Sequence, residues 1–169
     1  MGFGMRTTRR KILAGLGLVA VGAAGGAAVF AGALSHDPAR TAGAQASGPV
    51  IRVVKSPYCG CCAKWVDYLA ARGWRTEVES QSNLAPVRRR AGVPGGMAGC
   101  HTAFVEGYVV EGHVPAGAIE KLLAERPDLD GIAVPGMPAD SPGMGGGGIQ
   151  DVYGFKAGRP TGLYTRARG

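Results

Sequence analysis

A short β-branched run leads directly into a segment in which three of four residues are cysteine. Residues 50–55 predict a buried strand, and Cys59, Cys61 and Cys62 follow in a turn. Residues 63–72 then carry apolar side chains at helical spacing. The cysteines therefore lie where a strand ends and a helix begins. A helix start stabilises negative charge and lowers the pKa of a thiol, so this position favours reactive or metal-binding sulfur.

The chain continues to alternate between strand and helix signals. Gly, Pro or Asn separates the later elements, which are predicted at 74–78 (strand), 83–91 (helix), 102–105 and 108–111 (a hairpin) and 115–125 (helix). The resulting β-α-β-α-β-β-α order is typical of a thioredoxin-like α/β fold, in which helices flank a central mixed sheet. Such a sheet binds ligands beyond the carboxyl ends of its strands, which is where the cysteines fall.

The amino terminus is typical of an export signal. Arg9 and Arg10 precede an apolar stretch, diluted by Gly and Ala, and residues 1–34 resemble a twin-arginine signal. An uncleaved membrane anchor is the alternative, because about 20 apolar residues can span a bilayer. Residues 35–49 predict a flexible tether. Either way, the following domain is expected in the periplasm or at the cell exterior.

The remainder is predicted to form one metal-binding domain over residues 50–156, followed by a C-terminal tail at 157–169. Within it, residues 131–144 are rich in Gly and Pro and predict a loop that wraps the domain. Residues 149–156 predict an edge strand.

Charge argues against a nucleic-acid partner. The formal net charge is +7. Residues 1–49 hold five Arg and Lys against one Asp, so they carry +4 and the rest only +3. That excess is too small and scattered for a nucleic-acid surface. The run of arginines at 88–90 is interpreted as the solvated face of a helix.

The crowded cysteines leave three kinds of chemistry open. Cys59 and Cys62 have the Cys-x-x-Cys spacing of thiol–disulfide oxidoreductases, but the inner Cys61 competes for any disulfide. Three close thiolates repel one another unless a cation neutralises them, and soft thiolate ligands select Cu(I). A structural zinc site is the third option, although zinc usually takes two separated knuckles.

Cys100 is predicted to complete the sulfur site. It lies in the loop that leads into the third strand, which in the predicted fold faces the start of the first helix. Its neighbours are a Gly-rich stretch and His101, with no aliphatic run around them. An isolated cysteine is otherwise often a small buried hydrophobe.

Imidazole and thioether groups provide further candidate ligands. His101 and His113 are candidates for copper, although His113 at a strand exit also suits a hydrogen-bonding role. Met97, Met137 and Met144 lie in loops between Gly and Pro, where a thioether ligand or an ordinary surface lid fits equally well.

Five motifs in order make the chain similar to a known family. They are CGCCAKW at 59–65, CHTA at 100–103, EGY at 106–108, EGHVP at 111–115 and GIAVPGMP at 131–138. The chain resembles the DUF411 family of periplasmic metal-binding proteins, which includes CopG-like copper-resistance proteins, over about residues 50–156. The resemblance implies a thioredoxin-like fold and copper ligation by Cys59, Cys61, Cys62 and Cys100. By the same resemblance, His101, His113, Met137 and Met144 are further candidate ligands.

These observations predict an exported copper-binding protein that holds one or several Cu(I) ions and acts in copper handling or resistance. Redox cycling between thiolates and copper is a further hypothesis, and whether the chain is an enzyme stays open. Its expected partners are copper ions and other periplasmic copper-handling proteins.

Overall fold

The computed structural model describes residues 48–169; the predicted export signal and most of the tether lie outside this range. The described part is a mixed α/β domain with three α-helices and seven strands. Their bounds, in chain order, are β1 Val50–Lys55, α1 Gly60–Ala70, β2 Arg75–Ser80, α2 Ala85–Arg90, β3 His101–Val105, β4 Tyr108–Glu111, α3 Ala116–Glu125, β5 Gly131–Ala133, β6 Ile149–Lys156 and β7 Arg159–Arg168. The first seven elements follow the predicted order.

All seven strands form one sheet in the order β2-β1-β3-β4-β5-β6-β7. β1 pairs with β2, and β4 with β5, in parallel; the other four pairs are antiparallel. The sheet is therefore mixed, as predicted. None of the helices in residues 48–169 is long and apolar enough to cross a membrane.

The carboxyl-terminal third differs from the sequence-based expectation. Gly131–Ala133, expected in a wrapping loop, is a buried strand between β4 and β6. Gly131 permits this pairing because it has no Cβ; a Cβ there would lie only 2.3 Å from the carbonyl oxygen of Val109. β6, expected at the edge of the sheet, is an inner strand. Residues 157–169, expected to form a tail, contain β7, which pairs along the length of β6. Most of β7 is exposed, so it lacks the apolar pattern that reveals a strand.

Two apolar layers lie on opposite faces of the sheet. Successive strand residues point to opposite faces, and in β4 Val110 belongs to the larger layer and Val109 to the smaller one. The larger layer is formed with α1 and α3 and contains Trp65, the largest fully buried side chain. Its Nε1 donates to the carbonyl oxygen of Val114 at 2.9 Å, which anchors α1 beneath the cysteine turn.

Candidate metal centre

The end of β1 and the start of α1 position the first three cysteines. Cys59 is the N-cap of α1, and its Sγ accepts the backbone N–H of Cys62 at 3.4 Å. The Cys59 N–H donates to the carbonyl oxygen of Ser56 at 3.1 Å, closing the turn after β1. The sulfurs therefore lie at the positive end of the helix, as the sequence predicts.

Cys100 meets this cluster, as predicted. β1 and β3 are antiparallel and pair Lys55 with His101, so the residue before β3 lies beside the end of β1. The Sγ of Cys100 is 3.7 Å from the Sγ of Cys61, and the Sγ of Cys61 is 3.4 Å from the Sγ of Cys59. All four sulfurs lie within 4.8 Å of one another.

The four sulfurs are not equivalent. Cys59 and Cys62 are joined by a disulfide with a Cα–Cα distance of 5.4 Å, whereas Cys61 and Cys100 are free thiols. This is the i, i+3 pair that can meet the distance requirement of a disulfide most readily. The structure thus contains a two-electron oxidised form of the site, with two thiols beside the disulfide.

The free thiol of Cys100 is in an environment that disfavours its anion. Burial, followed by the hydrogen bond and charge of Cys61, raises the pKa of Cys100 to about 12. A thiol in this position keeps its proton at neutral pH unless a cation replaces it. Binding of a metal ion here would therefore be coupled to proton release.

A second cluster of potential ligands lies behind the sulfurs. The ligand atoms of Cys62, His101 and His113 are within 4.8 Å of one another, and all three residues are buried. The ring of His101 lies 4.3 Å from that of Trp65 and 5.3 Å from that of His113, measured between centroids. Cys62 belongs to both clusters and connects them.

The two imidazoles have ring nitrogens without hydrogen-bond partners among residues 48–169. These are both nitrogens of His101 and Nε2 of His113, whereas Nδ1 of His113 lies 2.7 Å from the carbonyl oxygen of Pro142. Burial, with the charge of His113 as the next cause, lowers the pKa of His101 to about 3; burial also lowers the pKa of His113. Neutral imidazoles with free nitrogens are ligands ready for a metal ion. Buried polar atoms rarely lack partners, so these residues fit a bound metal.

The loop methionines occupy different environments. Met137 is 60% exposed and Met144 is half-buried, so their ligand role stays a prediction. Met97 instead packs in the smaller apolar layer with Val109 and Phe155. The idea of Met97 as a thioether ligand finds no support in that packing.

A loop after β5 covers the first turn of α1. Gly143 has a φ of +85°, and a Cβ there would lie 2.7 Å from the backbone nitrogen of Trp65 and 2.8 Å from the carbonyl oxygen of Cys61. The contact between His113 and Pro142 joins the same loop to the buried imidazoles. The wrap predicted over residues 131–144 is therefore present in its second half.

Gly143→Ala is expected to destabilise the domain by about 1–3 kcal/mol, since an added methyl group would press on the backbone of α1. Denaturant unfolding of the metal-free protein measures this loss. Gly145→Ala is the matched control, because Gly145 also has a positive φ, of +106°, but has open space around it. Equal losses in the two variants would show that backbone strain, and not the close approach to α1, explains the glycine.

Sequence reasoning missed a buried ion pair near the site. The sequence predicts a solvated face for the arginine run at 88–90, but Arg88 donates from Nε to Oε1 of Glu111 at 2.7 Å, and Glu111 is fully buried. The available signal was an acidic residue at the end of the apolar strand β4, in a position that otherwise favours burial.

Comparisons with known proteins identify relatives of this chain. A family model described as "Protein of unknown function, DUF411" matches residues 97–144. A solved structure titled "Copper resistance protein copG- Form 1" is 40% identical, with a TM-score of 0.64, and the match covers 72% of this chain and 100% of that one. "Copper resistance protein copG- Form 2" is 41% identical, with a TM-score of 0.63, and the match covers 72% and 98%. No curated protein sequence matches. With this identity over the whole length of a solved relative, and a sulfur cluster at the predicted place, the chain belongs to the DUF411 family of CopG-like proteins.

Proposed function

We propose that this chain binds copper as Cu(I) through the sulfurs of Cys59, Cys61, Cys62 and Cys100. The convergence of four sulfurs from two distant segments within 4.8 Å is the observation that carries the proposal. Thiolates select Cu(I) over harder ions, and the relatives are titled as copper resistance proteins. The cation would stabilise the thiolate of Cys100, whose pKa is raised first by burial and then by the hydrogen bond and charge of Cys61.

The buried imidazoles extend this site inward. Because Cys62 belongs to both clusters, its sulfur is suited to bridge a sulfur-bound ion and one held by His101 and His113. Met137 and Met144 remain candidate ligands in the loop after β5. More than one copper ion per chain therefore fits the donor set.

The disulfide supports a redox-dependent affinity. Joining Cys59 to Cys62 takes two electrons and two protons from the thiols, and two Cu(II) ions can accept one electron each to become Cu(I). The two thiols would thus reduce copper to Cu(I), but once they are joined in the disulfide they would no longer be available to bind it. Reduction of the disulfide would restore all four sulfurs.

A thiol–disulfide oxidoreductase is the second candidate. The disulfide at the start of α1 favours it, as does the proposed thioredoxin-like character of the first seven elements. Reduction of insulin by the metal-free protein separates the two functions. Insulin reduction by the metal-free protein would favour the oxidoreductase, and no reduction would count against it.

We also propose that the domain acts in the periplasm. Residues 1–34 would direct export through the twin-arginine pathway, and residues 35–49 would tether the domain or be partly removed. There it would exchange copper with other copper-handling proteins. Cell fractionation and amino-terminal sequencing of the mature chain test this, because a cytoplasmic, unprocessed chain would contradict it.

Anaerobic metal analysis tests the copper site directly. Protein expressed with copper is expected to retain it, whereas a Cys61→Ser, Cys62→Ser double variant should lose most of it, because half of the sulfur ligands are gone. Tyr58→Ala is the control, since Tyr58 is next to the cluster but 91% exposed. Equal copper in the wild type and the double variant would refute the proposal, and stoichiometric zinc retained in air would support a structural zinc module instead.

A further inference from the structure

The ion pair of Arg88 and Glu111 lies directly behind the loop that carries Cys100. Arg88 comes from the last turn of α2 and is 22% exposed at its side chain, whereas Glu111 at the end of β4 is 0% exposed. Burying the carboxylate and most of the guanidinium costs solvation that their attraction barely repays, so such a pair is weak evidence for a role in stability. Its other contacts indicate what it does.

Both members of the pair hold the backbone of Gly99, the residue before Cys100. Glu111 Oε1 accepts the Gly99 N–H at 2.8 Å, and Arg88 Nη2 donates to the Gly99 carbonyl oxygen at 2.6 Å. Glu111 Oε2 accepts the hydroxyl of Thr102 at 2.6 Å. One carboxylate therefore holds the chain on both sides of Cys100 and His101.

The same segment is packed closely against the strand exit opposite. A Cβ on Gly99 would lie 2.5 Å from the Cα of Gly112, and the Gly112 N–H donates to the His101 carbonyl oxygen at 2.9 Å. Cys100 itself precedes β3 and belongs to no helix or strand. The position of its sulfur thus depends on how its two flanks are held.

We propose that Arg88 and Glu111 are positioning residues that place the Cys100 sulfur against Cys61. The planar guanidinium uses Nε for the carboxylate and Nη2 for the Gly99 carbonyl, a fork that a lysine cannot reproduce. Contacts that orient metal ligands typically contribute about 10–100-fold to metal affinity. The use of the Cys100 sulfur as a copper ligand rests on the proposed function, whereas the placement of this sulfur by Arg88 and Glu111 does not.

Arg88→Lys tests the positioning through copper. The charge remains, so the fold should persist, while Cu(I) affinity measured by chelator competition under reduction is expected to fall about 10–100-fold. Arg89→Lys is the matched control, because Arg89 is its exposed neighbour on the same helix. In a Cys100→Ser background the same Arg88→Lys change should have a much smaller effect, since the sulfur it places is absent and only His101 remains on the segment that the pair holds. An unchanged affinity, or an equal loss in both backgrounds, would overturn the proposal.

A copper-free readout separates this inference from the copper function. In a Cys59→Ser, Cys62→Ser protein the remaining thiols are Cys61 and Cys100, and a dibromobimane reagent becomes fluorescent when it bridges them. Arg88→Lys and Glu111→Gln should slow this bridging several-fold, and Arg89→Lys should not. Unchanged bridging would refute positioning. Slower bridging in a protein that binds no copper would refute only the copper function.

Thr102→Val provides a second variant if the changes at the ion pair prevent folding. It keeps the pair and removes only the contact on the far side of Cys100, so bridging should slow in the same direction and by less. Bridging as fast as in the parent protein would count against the proposal.

Discussion

Closing the Cys59–Cys62 disulfide is expected to weaken Cu(I) binding by at least about 100-fold. The disulfide removes two of the four thiolates, and the thiolate is the form of sulfur that binds metal. Loss of contacts that merely orient a ligand already costs about 10–100-fold, so loss of two ligands should cost more. Competition with a Cu(I) chelator, run without oxygen on reduced and oxidised protein, measures the difference.

Two controls accompany this experiment. Counting the thiols after oxidation confirms that Cys61 and Cys100 stay free, as in the structure. A Cys59→Ser, Cys62→Ser protein should bind Cu(I) as weakly as the oxidised wild type, because it lacks the same two thiolates. Full recovery on reduction shows that the disulfide alone is responsible. Oxidised protein that binds Cu(I) as tightly as reduced protein would exclude the four-sulfur site.

His101→Leu is expected to stabilise the metal-free protein while weakening copper binding. Both ring nitrogens of His101 are buried without a partner among residues 48–169, and an unsatisfied buried polar group costs about 1–3 kcal/mol. An apolar side chain removes that cost together with the candidate ligand. Urea unfolding of the reduced, metal-free protein measures the gain, and chelator competition measures the loss of affinity.

Thr102→Val is the matched control, because Thr102 is the next residue and is equally buried, but its hydroxyl donates to Glu111. Removing the Thr102 hydroxyl leaves a carboxylate oxygen of Glu111 without that donor and should destabilise the protein by about 1–3 kcal/mol. The two neighbouring changes should therefore have opposite signs. If His101→Leu destabilised the metal-free protein as much as Thr102→Val does, the imidazole would be a packing residue and not a ligand held ready.

Lowering the pH should increase the amount by which the free energy of unfolding of His101→Leu exceeds that of the wild type. Burial lowers the pKa of His101 from 6.5 to about 3, so between these values the unfolded chain binds a proton that the folded chain excludes. The wild type therefore loses stability as the pH falls from 6.5 towards 3, by up to about 1.4 kcal/mol per pH unit from this group. The variant lacks this loss, and a difference that stays constant over that range would contradict the buried, neutral imidazole.

The cysteine site shows how far local signals reach. Cys59, Cys61 and Cys62 could be placed at a strand-to-helix junction because a β-branched run and a helical pattern bound them closely in the chain. Cys100 could be brought to them only through the fold hypothesis, and the pairing of β1 with β3 confirms that step. The pairing of His101 and His113 behind Cys62 was not predicted, because nothing in either residue's neighbourhood indicates a shared pocket.

The sequence by itself determined the order of the elements up to α3 and the place of Cys59, Cys61 and Cys62 at the start of α1, since periodicity, turn residues and residue spacing act over a few neighbouring residues. Tertiary structure alone decided the fate of Gly131–Ala133, the strand β7 and the buried pair of Arg88 and Glu111. A glycine becomes a strand residue only when another backbone approaches it, and an exposed strand forms only when its partner offers hydrogen bonds. The Glu111 carboxylate is buried only because Arg88, from a distant segment of the chain, pairs with it.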